Sequence, residues 1–376
     1  MTSPAYDVVI IGAGIVGAAC ALECVNERLT VAIVEAKIIG GGATAAGMGH
    51  LVVMDDSEAQ FALTNYSCKL WRELKDDLPR SVEYESCGTL WVAADDEEME
   101  EVRRKENYYT ERGVGVEVLD ARALAEAEPN LRPGLAGALR VPADSVIYPP
   151  CAAKFFVDQA VASGATLFLG KSVKAVKPDG VVLHDGTLIS AGVIVNAAGS
   201  WSPSLTSGID VKKRKGHLLI TDRYPQFVRH QLVELGYLKS AHSVTADSVA
   251  FNIQPRKTGQ MLIGSSRQYG VDSSQIDTPI LNRMLDRAVE YMPALRQLSS
   301  IRTWTGFRAA TPDKLPLIGP HTGHDRLYLA TGHEGLGITT SLGTAKLLVD
   351  QIVGRQSAIS VDAYLPGRVA QEAAHG

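Results

Sequence analysis

The chain has 376 residues, 45% hydrophobic and 21% charged, with a formal net charge of −5. That length exceeds one ordinary core and favours two lobes, and the composition is that of a globular protein. The acidic balance, with no long Lys/Arg run, argues against a nucleic-acid surface, which needs clustered cations, and no apolar run reaches the ~20 residues of a membrane-spanning helix.

Residues 7–35 read as strand, glycine turn, helix and second strand ending in an acid. Gly12 lets the chain turn out of the strand, Gly14 lets backbone approach a pyrophosphate, and Gly17 lets the helix pack closely. The helix start then offers its orphan N–H groups and positive dipole end to phosphate. Glu35, 18 residues after Gly17, sits where an acid hydrogen-bonds a ribose diol. A bare Gly-x-Gly-x-x-Gly is weak; this one has the strand before it, the helix after it and the acid at the right spacing. The first strand begins near residue 6, leaving no room for a signal peptide.

Residues 58–78 read as an amphipathic helix, 87–93 as a strand, 95–112 as a charge-dense solvated helix, and 121–128 as a short helix halted by Pro129. Cofactor-domain character returns after Pro149-Pro150, with a helix over 151–163 and strands over 165–169 and 172–176. A hairpin pairs 181–184 with 187–190 around Asp185-Gly186, and a buried strand from Gly192 runs into a glycine turn near Trp201. Residues 210–305 look β-rich, with strands over 216–221, 248–254 and 260–265 and a helix over 279–296. A strand over 326–330 leads through Thr331–Gly337 into a helix over 340–353, and the Ala-rich tail after 366 is expected to be mobile. The fold class is therefore α/β: a Rossmann-type dinucleotide domain over 1–80, 145–208 and 308–376, with a second mixed β-sheet substrate domain over 81–144 and 209–307 inserted.

Cys20, Cys24, Cys68, Cys87 and Cys151 are odd in number and scattered, without a Cys-x-x-Cys. No disulfide framework, zinc site or iron–sulfur cluster is expected, and a reducing cytoplasm fits.

Further motifs follow the glycine signature in order: Gly40-Gly-Gly-Ala-Thr44-Ala-Ala-Gly-Met48, Asn196-Ala-Ala-Gly-Ser-Trp201, Trp304-Thr-Gly-Phe-Arg308 through Asp313 to Gly319, and Gly332-His-Glu-Gly-Leu-Gly337. In this order, and over nearly the whole chain, the sequence resembles the D-amino-acid oxidase family of flavoproteins, which includes glycine oxidase and sarcosine oxidase. Lys213–Thr221 and Phe251–Arg256 are most similar to its D-hydroxyproline dehydrogenase branch, whose members often work within larger assemblies.

The resemblance implies FAD rather than NAD, which the glycine fingerprint alone does not decide, since both carry an ADP half. It implies that Gly12, Gly14, Ile15, Val16, Gly17, Glu35 and Ala36 belong to the cofactor site, and that Gly42, Ala43, Thr44, Gly47 and Met48 meet the pyrophosphate and flavin. Val173 and Val176 lie on the strand passing the adenine, with a single backbone contact expected. Ala198, Gly199 and Trp201 close the site from the buried strand. Gly335, Leu336, Gly337, Ile338 and Thr339 form a helix start facing the negative pyrimidine edge of reduced flavin.

The same resemblance places Arg308 as the carboxylate anchor, a role suited to a planar guanidinium; a structural salt bridge to Asp313 is the alternative. His50 and His333 are expected near the flavin, at least one lining the pocket and titrating near neutral pH. Tyr237 and Trp304 are candidates to cap a cyclic substrate, and core packing is the alternative for Tyr237. Some sarcosine-oxidase relatives hold flavin through a late Cys; this chain has none after Cys151, so the expectation is non-covalent FAD. The expected reaction is oxidation of a small amino or imino acid by hydride transfer to flavin. D-hydroxyproline giving a pyrroline carboxylate is favoured; a glycine- or sarcosine-type substrate, or an electron-relay subunit, is the alternative. The electron acceptor, oxygen or a partner subunit, is left open.

Overall fold

A computed structural model describes residues 5–236 and 247–368. β1 (Tyr6–Ile11) is an apolar strand whose alternate side chains face opposite layers. Val8 and Ile10 point to one core, and Val9 and Ile11 to another. β2 (Val31–Glu35) does the same, with Val31 and Ile33 on the first side and Ala32 and Val34 on the second. Burial on both faces is what a parallel sheet covered on both sides demands. The strand order is 317–320, 327–331, 188–196, β1, β2, 166–169. Helices cover the first face: α1 (Ile15–Asn26), Glu58–Leu74, Pro149–Ala162 and Gly337–Val353. A meander of Val173–Lys177, Gly180–Leu183 and the start of Leu188–Asn196 covers the second.

Leu188–Asn196 departs from the sequence expectation of two strands. It is one nine-residue strand that closes the meander at Leu188–Ser190 and enters the parallel sheet beside β1 from Ala191 onward.

The second sheet has nine strands in the order 333–334, 300–310, 212–221, 261–269, 248–255, 231–234, 89–93, 137–141, 117–120. It is antiparallel except between Gln231–Glu234 and Thr89–Ala93, so it is mixed, as expected. One face packs on helix Thr278–Tyr291 through Phe251, Ile253, Ile263 and Met284's neighbour Ala288. The other face looks toward the first lobe. Strand Ser300–Ala310 crosses the expected boundary at residue 308, and His333–Glu334 pairs with it although the chain around them belongs to the first sheet.

Caps explain several helix starts. Ser57, Asp95, Asp120 and Asp277 each accept a backbone N–H three residues on. The expected 58–78 helix stops at Leu74 in a 3-10 turn, and the expected 279–296 helix stops at Tyr291. Pro293 pushes Met292 out of the helical region (ψ 81°) and starts a 3-10 turn instead. The expected tail lies from residue 369 outside the described residues. Among the described residues, no helix is long and apolar enough to cross a membrane, and no group of three or more His, Cys, Asp or Glu is placed to hold a metal ion.

Candidate active site

A cavity of about 830 Å³ lies between the two sheets, within the ~300–1,000 Å³ range of ligand pockets. It runs from Glu35, Lys37 and Val173, past the glycine turn and the short helix α2 (Gly42–Ala46), to Gly335–Ile338 and the second sheet.

The turn after β1 is built by close backbone contact. Gly12 has φ +104°, and a Cβ there would lie 2.7 Å from the Ala197 carbonyl oxygen. A Cβ on Gly17 would lie 2.1 Å from the Gly12 carbonyl oxygen, so α1 packs directly on its own turn. Gly14 differs: outside its chain neighbours, only Thr44 Oγ1, at 3.3 Å, comes near the space a Cβ would fill. Gly14 therefore leaves backbone open to the cavity. The Ile15 N–H, at the start of α1, donates to Thr44 Oγ1 at 3.0 Å, and the rest of that first turn has no intrahelical acceptor. Glu35 accepts from the Ala13 N–H and the Lys37 N–H, each at 2.8 Å and each on a different carboxylate oxygen. Both oxygens retain a lone pair. An open glycine at a helix start, with a carboxylate one strand away, fits the diphosphate and ribose of a dinucleotide.

Gly12, Gly14, Ile15, Val16, Glu35, Ala36, Gly42, Ala43, Thr44, Gly47, Met48, Val173, Ala198, Gly199, Trp201, Gly335, Leu336, Gly337 and Ile338 all line the cavity. Trp201 is half exposed and packs beside Gly42. Three expected contacts fall elsewhere. Gly17 is behind the turn, where it lets α1 pack closely as its spacing implied. Val176 packs into the core under the meander, so one strand residue, Val173, reaches the cavity there. Thr339 is buried: its hydroxyl donates to the His50 carbonyl at 2.8 Å and its own carbonyl accepts from Trp71 Nε1 at 3.1 Å. It fastens the helix start instead of lining it.

Helix Gly337–Val353 begins at the cavity wall, with Leu336 as N-cap. Its positive end is the one expected to face a reduced flavin. His50 and His333 both line the cavity, but burial pushes each imidazole down to about 3. Both are neutral at physiological pH, which corrects the expectation that one titrates near neutrality. His333 Nε2 lies 3.0 Å from Thr344 Oγ1, while His50 Nε2 is buried without a partner.

Arg308 lies on strand Ser300–Ala310, directly opposite Arg214. Its Nη1 donates to the Ser266 carbonyl at 3.0 Å. The guanidinium has room because Gly216 and Gly335 flank it: a Cβ would lie 2.5 Å from Nη1 at the first and 3.4 Å from Nε at the second. Asp313 is held by Arg368, at 2.7 and 3.2 Å, so the ion pair of Asp313 is with that residue. Tyr237 lies outside the described residues. Trp304 packs with Met48, Leu218 and Leu262 and is not part of the cavity wall.

Sequence reasoning passed over Arg214, which lines the cavity, forms a buried ion pair with Glu334 and stacks on Tyr269. Its signal was hidden in the Lys212–Lys215 basic run, where strand alternation alone selects which cation turns inward. It also passed over Trp91, Gln231, Asn252 and Ser265, all buried in the cavity wall. Asn252 stood in a motif quoted above, and a lone amide between Phe251 and Ile253 was the available cue.

The family DAO, FAD dependent oxidoreductase, matches residues 7–351. Glycine oxidase from Geobacillus kaustophilus is 27% identical over 367 residues, spanning 95% of each chain. Its crystal structure superposes with a TM-score of 0.86, covering 96% of this chain and 98% of that one. Hydrogen cyanide synthase subunit HcnC from Pseudomonas protegens is 28% identical, over 94% of this chain and 93% of that protein. The structure of L-proline dehydrogenase from P. horikoshii shares the fold, with a TM-score of 0.88 at 23% identity over 99% of both chains. The cradle described above and these matches agree, and the chain belongs to the DAO family of FAD-dependent oxidoreductases.

Proposed function

We propose that this protein oxidises a small amino or imino acid at the bond between its α-carbon and nitrogen, with D-hydroxyproline favoured and a pyrroline carboxylate as product. The carrying observation is the Arg308 guanidinium, set in the cavity wall between Gly216 and Gly335 and beside the start of the Gly337–Val353 helix. A guanidinium there grips a substrate carboxylate bidentately and fixes the α-carbon. FAD, when bound, accepts the hydride that leaves the α-carbon. The substrate nitrogen gives up a proton, the C=N bond forms, and the imine then hydrolyses or tautomerises.

The remaining work falls to the chain's own groups. Neutral His50 and His333 put no cation beside the amine. The helix start at Gly337–Ile338 supplies N–H groups where negative charge grows. Of the five cysteines, none lines the cavity, which supports a non-covalent cofactor; acid precipitation should then release the yellow colour into the supernatant. A glycine- or sarcosine-type substrate is the second reading, favoured by the similarity to a glycine oxidase. The similarity to a synthase subunit supports a partner subunit as electron acceptor.

The test is an anaerobic flavin-bleaching screen over D- and L-proline, both 4-hydroxy-D-proline epimers, sarcosine and glycine. Bleaching by the hydroxylated D-imino acid is expected. Bleaching by none of them would leave a relay flavoprotein in place of an amino-acid-oxidising enzyme.

A further inference from the structure

We infer that the cavity floor is a second recognition site, for an uncharged hydroxyl on the end of the substrate away from its carboxylate. This rests on the proposed oxidation and deepens it by assigning the residues that read the substituent. Trp91, Gln231, Asn252 and Ser265 line the cavity and are 2%, 1%, 8% and 5% exposed. Each carries a buried polar atom without a hydrogen-bond partner: Trp91 Nε1, Gln231 Oε1, Asn252 Oδ1 and Ser265 Oγ. Buried polar atoms are nearly always paired, so four orphans facing one cavity mark a place where a ligand supplies the partners.

The four come from adjacent strands: Thr89–Ala93, Gln231–Glu234, Ser248–Pro255 and Met261–Tyr269. Their apolar neighbours Leu90, Leu232, Phe251 and Ile253 turn to the opposite core. The sheet thus sorts its polar side chains onto the cavity face. The mixture is informative. An indole N–H only donates, an amide oxygen only accepts, and a serine hydroxyl does both. A substrate hydroxyl donates once and accepts twice, so it pairs with one amide oxygen and with neighbouring donors of such a set, whereas a methylene pairs with none.

Position supports the same reading. Ser266, whose carbonyl holds Arg308, and Ser265 share one strand, and Asn252 is on the next. Neighbouring strands are about 5 Å apart, similar to the span from carboxylate to 4-hydroxyl in a five-membered imino acid.

The experiment is anaerobic stopped-flow flavin reduction in the holoenzyme, comparing D-proline with the better 4-hydroxy-D-proline epimer. The second-order reduction constant should favour the hydroxylated substrate by at least about tenfold. Of Asn252→Leu and Gln231→Leu, made separately, at least one should bring that ratio below about threefold. Pyrrole-2-carboxylate, which has a carboxylate but no hydroxyl and no oxidisable bond, reports the pocket independently through its perturbation of the flavin spectrum. Its Kd should stay within about threefold in both variants. Equal use of both substrates by the unmodified enzyme overturns the inference. So does a ratio untouched by either variant, a pyrrole-2-carboxylate Kd that weakens in step with it, or a preference for D-aspartate over the hydroxylated substrate. Bleaching by neither imino acid sinks the oxidation reading itself; bleaching without discrimination sinks the floor alone.

Discussion

Gly216→Ala isolates the placement of Arg308 without touching that residue. A Cβ at position 216 would stand 2.5 Å from Arg308 Nη1, 3.1 Å from its Cζ and 3.0 Å from the Ser266 carbonyl oxygen. Non-bonded heavy atoms settle at about 3.5 Å, so the guanidinium must withdraw by roughly 1 Å and its 3.0 Å bond to Ser266 is lost or stretched. The nearest obstruction is the far end of a flexible side chain, but the Ser266 backbone carbonyl must also give by a few tenths of an ångström, so the cost to folding is about 1 kcal/mol. A 1 Å displacement of a substrate-orienting group costs up to about 100-fold in reaction efficiency. The expected outcome is a half-saturating substrate concentration for flavin reduction raised by about 10- to 100-fold, with FAD still bound. Rapid-mixing bleaching curves across a substrate series measure the first, and the visible spectrum after gel filtration the second. A yellow Gly216→Ala protein with unchanged half-saturation would refute the reasoning, because Arg308 would then not be the carboxylate anchor.

Three other outcomes follow from the geometry. Thr44→Val removes the acceptor of the Ile15 N–H, and FAD titrated into apoprotein should bind about fivefold or more weakly; an unchanged Kd contradicts this. Glu334→Ala strands Arg214, an ion-pair partner only 6% exposed at its side chain, and should lower unfolding free energy by about 3 kcal/mol in urea, a loss that an unaltered midpoint would disprove. His333 is neutral in the fold down to about 3, whereas unfolded His takes up a proton below about 6.5. The folded state therefore loses stability as pH falls from 6.5 toward 3, by up to about 1.4 kcal/mol per unit, and gains nothing further above 7. His333→Asn should reduce the slope of the urea-midpoint profile between pH 6.5 and 5, leaving the share that buried His50 contributes, and a profile of undiminished slope would count against the burial argument.

The first lobe was legible because its signals are local. β1, the glycine turn, α1 and Glu35 lie within 30 residues, and each glycine has a short-range steric reason. The second lobe was legible mainly in its interior strands. Glu117–Asp120 is an edge strand with mostly exposed residues, so it has no alternation to read. Ser300–Ala310 is half-buried over most of its length, and its Trp-Thr-Gly-Phe-Arg core mixes polar and aromatic residues with no apolar face. The site shows the same division. Arg308 could be singled out from its motif, but the glycine that gives it room is 92 residues earlier in the chain, and only strand pairing brings the two together. Which basic residue of the Lys212–Lys215 run turns inward, and which amides meet over the floor, likewise depends on register across strands distant in sequence.

The ladder joining Ala309 to Glu334 and Ala310 to His333 runs straight from the strand bearing Arg308 to the segment that opens the last helix. The Arg308 strand and the helix terminus are thereby one mechanical piece, cross-braced by Arg214 on Glu334. A change that re-aims either must disturb the other. Diversification, natural or engineered, has an easier route in the middle of the sheet, where positions 91, 231, 252 and 265 stand on other strands. Libraries confined to those four sites should alter which molecules are accepted while preserving the redox step, and libraries at 306–310 or 333–337 should mostly yield inactive proteins.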